Sequence, residues 1–204
     1  PQLRGIAIMD RGGHPLISSN VWPVPKDLNF SDRGYFKAQM KPEAGTYVST
    51  MLKPRMQGIG SYFFALTQRR PSDDGLFNGI VSIAILPSTF ESFYARMGRN
   101  EGSYFALARR DGSILARYPV PNERAVKLDE SSDFRVGIAK GNQRDIYSVD
   151  SQIDGVARRI GYRKLDGFPV YVLAGVERSA IIREWFGYLS SHLIFGIPAT
   201  AFLY

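Results

Sequence analysis

The sequence contains no cysteine and only two histidines, His14 and His192, in separate regions. The first absence excludes disulfides, thiolate zinc sites and thiol nucleophiles. The second leaves too few partners for a histidine metal site or a Ser-His-Asp triad. No G-x-S-x-G elbow occurs. Gly58-Ile59-Gly60 is followed by bulky residues instead of Gly-Lys-Ser/Thr, so there is no phosphate-binding P-loop. Asp73-Asp74 stands in a Pro/Ser/Asp/Gly cluster and reads as turn chemistry. These absences argue against an enzyme, and no cofactor or metal is expected. Charge is missing in one place as well. The twenty residues Trp185 to Tyr204 contain no Asp, Glu, Lys or Arg, about the length of a bilayer-crossing helix. Aromatic residues at the edge of this stretch suit a headgroup belt. Ser190, Ser191, His192 and Pro198 dilute it, leaving a core helix or an adhesive tail as the other reading.

The remainder is ordinary globular material, 44% hydrophobic and 22% charged over 204 residues. A net charge of +7 is compatible with a basic face, an anionic ligand, an anionic lipid surface or nucleic acid. The last is not expected. Arg33-Gly34-Tyr35-Phe36 begins like an RNA-stacking signature, but Phe36 and Lys37 occupy the places that need a small residue and an aromatic.

One pattern occurs twice. Ile6–Met9, a Gly12-Gly13 turn and a new strand at Pro15-Leu16 are repeated by Phe105–Arg109, Asp111-Gly112 and Ile114-Leu115. In both, the glycine supplies the positive φ of a tight hairpin. Further on, Tyr62–Arg69, a turn at Gly75 and Phe77–Leu86 match Val156–Lys164, a turn at Gly167 and Val170–Val176. Asp154-Gly155 marks one more hairpin, after Ile146–Gln152. Between the copies, Pro87 sits where a helix starts and Gly98 where it ends. Phe90, Phe93, Tyr94 and Met97 recur along one helical face. A helical insert in the first copy should be capped by Ser31 or Asp32. The spacing therefore predicts an α+β chain of two modules, residues 1–97 and 98–176. Each is an antiparallel sheet of about five strands, and a helix runs over 177–204 into the candidate span.

The stretches Leu3–Gly13, Leu28–Phe36, Tyr47-Val48-Ser49, Gly58–Arg69, Gly79–Ile85 and Leu107–Tyr118, in that order and spacing, resemble the double Cache family. These are tandem PAS-like sensor regions of bacterial histidine kinases, chemoreceptors and diguanylate cyclases, and the likeness is strongest to sensor histidine kinases. The family usually carries a long helix and a membrane span before the first sheet, which would lie upstream of Pro1. The resemblance implies an extracytoplasmic (periplasmic) ligand-sensing region of an inner-membrane receptor, homodimeric in the full-length protein, without catalysis of its own. A two-component histidine kinase is the expected parent; the alternatives are the sensor of a chemoreceptor or diguanylate cyclase, or a membrane-anchored extracellular binding protein.

By the same resemblance, the membrane-distal module 1–97 holds the ligand between its sheet and its helical insert. Arg33 matches the family's carboxylate-binding arginine, and Tyr35 and Phe36 the aromatics after it. Members that bind α-amino acids carry Arg-x-Trp-Tyr there, and an Asp on the strand corresponding to Gly79–Ile85 that receives the ammonium. Here the tetrapeptide is Arg33-Gly34-Tyr35-Phe36, and Ala84 stands at the place of the Asp. A plain carboxylate is the expected ligand, since a buried ammonium without a partner is costly. Tyr47 and Ser49, alternate residues on one strand face, complete the expected site, and Arg55, with Lys53 nearby, adds positive charge. The proximal module has no Arg-x-aromatic-aromatic insert; Asp133-Phe134-Arg135-Val136 is the nearest. Its pocket is expected to be small or empty and its role to be transmission.

Overall fold

A computed structural model describes residues 3–55, 62–73, 75–98, 100–123 and 126–201. The loop glycines Gly58 and Gly60, Asp74 of the expected turn, and the last three residues of the candidate span lie outside that set.

Two five-stranded antiparallel sheets follow one another along the chain. The first is built from β1 (Leu3–Met9), β2 (Pro15–Ser18), β3 (Tyr47–Val48), β4 (Phe64–Arg69) and β5 (Ile80–Ile85). Its spatial order is β2-β1-β5-β4-β3. The second contains β6 (Ser103–Arg109), β7 (Ile114–Tyr118), β8 (Arg144–Asp150), β9 (Ala157–Lys164) and β10 (Val170–Glu177). Its order, β7-β6-β10-β9-β8, is the same topology used again. The four helices are α1 (Gly34–Gln39), α2 (Pro87–Met97), α3 (Asp133–Ala139) and α4 (Arg178–Ala201). α1 and α3 hold equivalent places between the second and third strands of their sheets.

The repeat read from the sequence is reproduced in backbone detail. Gly13 and Gly112 both have φ of +85°, and Gly75 and Gly167 have +71° and +78°. Each first hairpin turn also receives a strap from the loop ahead of the insert helix. Phe30 donates its N–H to the Gly13 carbonyl, and Leu128 donates to that of Gly112, at 2.9 and 3.0 Å. A Cβ on either glycine would meet backbone atoms of that strap, at 2.5 Å for Gly13 and 2.8 Å for Gly112. The strand alternation does what a period of two requires. In β5, Ile80, Ser82 and Ala84 are buried, while Val81, Ile83 and Ile85 are only partly so.

Three expectations need correction. The buried face of α2 runs Pro87, Phe90, Glu91 and Tyr94, whereas Phe93 and Met97 are 49% and 53% exposed. Phe90 and Tyr94 thus lie on the buried face as expected, while Pro87 and Glu91 take the places expected of Phe93 and Met97. Ser31 and Asp32 do not cap α1. Its N-cap is Arg33, whose side chain makes no capping bond, while Ser31 bonds to Asn29 and Asp32 to Arg55. α4 forms as expected, but no helix among the described residues is long and apolar enough to cross a membrane. Arg178, Arg183 and Glu184 occupy its first turns, and Ile181, Ile182, Trp185, Phe186, Tyr188 and Leu193 are exposed along it.

Each sheet packs one face against its insert helix, forming separate cores around Phe36 and Phe134. A third core lies between the sheets. It joins Val48 and Phe64 to Leu107, Leu115 and Val170, with Tyr94 of α2 in the middle. The Tyr94 ring stacks on Phe105 with 5.6 Å between centroids. Beside it, Arg109 donates to the Val48 carbonyl at 2.6 Å and lies over the Tyr47 ring at 5.3 Å.

Candidate functional site

The sheet of the first half presents a row of small side chains. Ala7 on β1 faces Ser18 on β2 and Ser82 on β5, and Gly5 faces Ala84 one step along. Bulk is missing from this row, so the insert helix cannot close down on it. A cavity of about 30 Å³ remains, walled by Met9, Phe30, Phe63 and Tyr35. That is room for roughly two waters.

Arg33 and Arg55 form the roof, and they are held differently. Arg55 forks onto Asp32, donating to its two oxygens at 2.7 and 2.5 Å, and also donates to the Asn29 carbonyl. This two-point bond holds the exposed Asp32 carboxyl down at about 2, and the same bond raises the Arg55 guanidinium further above its usual range. Arg55 is thus a neutralised cation. Arg33 donates one bond, to the Lys53 carbonyl at 3.1 Å. Its Nε is buried without a hydrogen-bond partner among the described residues, and no carboxylate pairs with it there. Burial pushes the Tyr35 phenol up to about 12 against the opposing pull of Arg33 and Arg55. It is therefore a neutral hydroxyl at physiological pH. No carboxylate side chain lines the cavity among the described residues.

The structure brings three of the six sequence-chosen residues, Arg33, Tyr35 and Arg55, to this cavity and places the other three elsewhere. Phe36 is one residue past Tyr35 on α1 and turns into the core, edge-on to Phe77 at 5.4 Å. Ser49 is structural. Its hydroxyl accepts from the Ala65 N–H at 2.8 Å and donates to the Thr50 carbonyl at 2.7 Å, bracing the end of β3. Tyr47 packs on the same core from the far edge strand, β3, with Arg109 of the other sheet over its ring. Tyr47 and Ser49 share the insert-helix face with Thr67 and Ala65 of β4, but β3 is the edge strand farthest from β1 and β2, so neither reaches the cavity. The sequence reading missed the floor, Gly5, Ala7, Ser18 and Ser82. The available signal was the run of small residues on strands that otherwise carry Ile and Met.

The second half departs from expectation more sharply. Its cavity is about 130 Å³, larger than the first, so the expected small proximal pocket is not what the chain forms. The row equivalent to Ser18–Ala7–Ser82 is Arg117–Ala106–Leu173. Arg117 and Arg158 are 2% and 3% exposed, and both lie over the Tyr104 ring at about 5 Å. Asp154, in the β8–β9 hairpin, bonds to both, while Glu177 approaches Arg158 at 3.6 Å. Partial burial works against the Asp154 charge, but hydrogen bonds from Arg158 and Ser151 and the charge of Arg117 outweigh it. The carboxyl is held far below its usual range.

Comparison with known proteins fits this architecture. Residues 87–175 match the dCache_1-like family model, a histidine kinase sensor domain. No curated protein sequence matches the chain. Among solved structures, the extracellular domain of rpHK1S-Z16, a protein assigned as a histidine kinase, superposes with a TM-score of 0.76 at 24% identity. That match covers 89% of this chain and 73% of the other. The ligand-binding domain of the Pseudomonas aeruginosa PAO1 amino acid chemoreceptor PctB, solved with L-Gln, gives 0.65 at 13% identity over 98% of this chain and 76% of that one. The ligand-binding domain of the Pseudomonas fluorescens chemoreceptor CtaA, solved with L-serine, gives 0.59 at 15% identity, over 87% and 74%. The matches are to sensing and ligand-binding domains, and the fold is the tandem PAS-like fold of double Cache regions.

Proposed function

We propose that this chain, a double Cache sensor region by its fold and by the histidine kinase sensor match of its second half, is the extracytoplasmic ligand-sensing part of an inner-membrane signalling receptor. The receptor type favoured is a two-component histidine kinase. The first module, residues 1–97, is the membrane-distal ligand-binding unit, and its ligand is a small carboxylate. The observation that carries this reading is Arg33, a cation with most of its five donors unused, held over a floor of Gly5, Ala7, Ser18, Ser82 and Ala84. A guanidinium in a partly dry site binds a carboxylate through parallel charge-assisted bonds. CtaA and PctB were solved with amino acids. In this chain an amino acid's ammonium would find Ala84 and no lining carboxylate, so a carboxylate without an ammonium is the better fit. The cavity as it stands is too small for such a ligand, and its entry displaces the roof.

The output route is covalent. β10 is hydrogen-bonded along its length to β6 and β9 and runs without interruption into α4. We assign α4 as the element that carries the signal to the membrane, in a receptor that works as a homodimer. The chemoreceptor structures among the matches support the same module in a chemoreceptor as the second reading.

A thermal-shift screen of small carboxylates, followed by calorimetry, tests the assignment, because a ligand that binds only the folded state raises its melting temperature. With the carboxylate so identified, Arg33→Ala is expected to lose about 2–4 kcal/mol of affinity while melting near the parent temperature. Undiminished affinity would remove Arg33 from the site.

A further inference from the structure

The cavity of the second module has its own chemistry, the reverse of the first. Its walls are the aromatic rings of Tyr104, Phe134 and Tyr147, and its polar rim includes Asp133, Asp150 and Gln152. Among the described residues no lysine or arginine lines it. The Tyr147 hydroxyl and the Asp133 carboxylate have no hydrogen-bond or ion-pair partner among the described residues, although both border the space. The rings are fixed: Phe134 meets Tyr162 and Tyr171 edge-on at 5.3 and 5.5 Å, and Tyr147 leans on Tyr162 at 6.1 Å. Burial, with Tyr104 and Asp133 adding to it, raises the Tyr147 phenol, so it stays neutral. The Tyr104 ring already lies under Arg117 and Arg158, so the rings of Phe134 and Tyr147 are the ones left to attract a cation, and the exposed Asp133 carboxylate at the rim supplies the countercharge.

We propose that this proximal cavity is a second ligand site, for a small organic ammonium ion contacting Asp133 and the Tyr147 hydroxyl within the aromatic wall. A dry cavity of roughly 150 Å³ accommodates a benzene-sized molecule, so about 130 Å³ sets the ligand at a short alkylammonium. The proposal stands apart from the carboxylate reading of the distal cavity, since neither site's lining residues enter the other.

The experiment is a titration of the whole chain with n-butylammonium, followed by calorimetry and by amide chemical shifts. 1-Butanol serves as the neutral analogue and butyrate as the anionic one. The expected result is saturable binding of butylammonium, at least tenfold tighter than 1-butanol, with shifts centred on α3 and β8. Asp133→Asn and Tyr147→Phe should each weaken it, the first by tenfold or more, because a hydrogen bond to a charged group is lost. Arg33→Ala should leave it unchanged. The Tyr147→Phe variant keeps the ring and guards against a fold effect at the first turn of α3. Equal binding of 1-butanol, unchanged affinity in folded Asp133→Asn, loss of binding in Arg33→Ala, or no saturable binding of butylammonium would each overturn the proposal.

Discussion

The two modules share one topology and differ in where they put their arginine. In the first, the residue that caps the insert helix is Arg33, which makes no capping bond and hangs over the cavity. In the second, the same place is held by Ser132, whose hydroxyl accepts from the Arg135 N–H as an ordinary cap does. On the sheet the exchange is reversed. Ser18 stands in the first floor row, and Arg117 in the matching position of the second, buried and tied to Asp154. The same scaffold thus carries a cation that is free to meet a ligand in one copy and a cation committed to the fold in the other. The difference teaches how to separate function from stability in a duplicated fold. A cation with no carboxylate beside a cavity is a recognition element, and a cation held by a carboxylate under the sheet is a structural one.

The largest expected effect tests the structural cation. Asp154→Ala leaves Arg117 and Arg158 buried without their shared carboxylate and should destabilise the chain by about 3 kcal/mol in urea unfolding. That is the low end for a broken buried pair, because Asp154 itself is about a third exposed. Little change would mean that Glu177 alone suffices. The next effect tests the exchange at the caps. Arg33→Ser installs in the first module the cap that the second already has and should raise stability by about 1 kcal/mol. It should also abolish binding of the carboxylate found by the screen. Stability gained with binding retained would break the comparison at its centre. The smallest effect is in acid. Asp32 and Asp154 both have carboxyls depressed below 3.8 in the folded state. Their contribution is complete above that value and is lost as pH falls through the folded values, about 2 for Asp32 and lower for Asp154. Thermal melts between pH 5 and pH 2 should show the loss beginning below about pH 4, and the Asp154→Ala variant should show a shallower acid slope.

The repeat was legible because it rests on backbone demands that only glycine meets cheaply. Gly13 and Gly112 sit at positive φ against a neighbouring strap, so the sequence announces both hairpins, and the alternation between turns supplies the strands. Arg33 and Tyr35 were legible as a positive, aromatic insert, and Arg55 as a cation on the loop before the fourth strand. Phe36 was not separable from Tyr35, since consecutive residues on a helix point about 100° apart and nothing local says which direction faces the cavity. Tyr47 and Ser49 do lie on the insert-helix face but away from the cavity, because β3 pairs at the opposite edge of the sheet from β2, a strand order that no local pattern encodes. The Asp154 network was hidden by its own good turn chemistry. Asp154-Gly155 is a sufficient hairpin signal by itself, and its bonds to Arg117 and Arg158 arise only when the β8–β9 loop comes back over β7. The size of the proximal cavity depends on the packing of Phe134, Tyr147 and Leu173, which no local pattern encodes.

The core shared between the sheets has a consequence for how the molecule comes apart. Val48, Phe64, Tyr94, Leu107, Leu115 and Val170 belong to six elements from both sheets and α2 and to one hydrophobic cluster, so the boundary drawn by the repeat is not expected to be a boundary of cooperativity. Severing the chain near Gly98 would leave Phe90 and Tyr94 on one fragment and Phe105 and Leu107 on the other, each facing water across what had been an interior. A chain joined this way is expected to melt as a single two-state unit with equal calorimetric and van't Hoff enthalpies, so that the duplication so plain in the topology leaves no second transition in the melt.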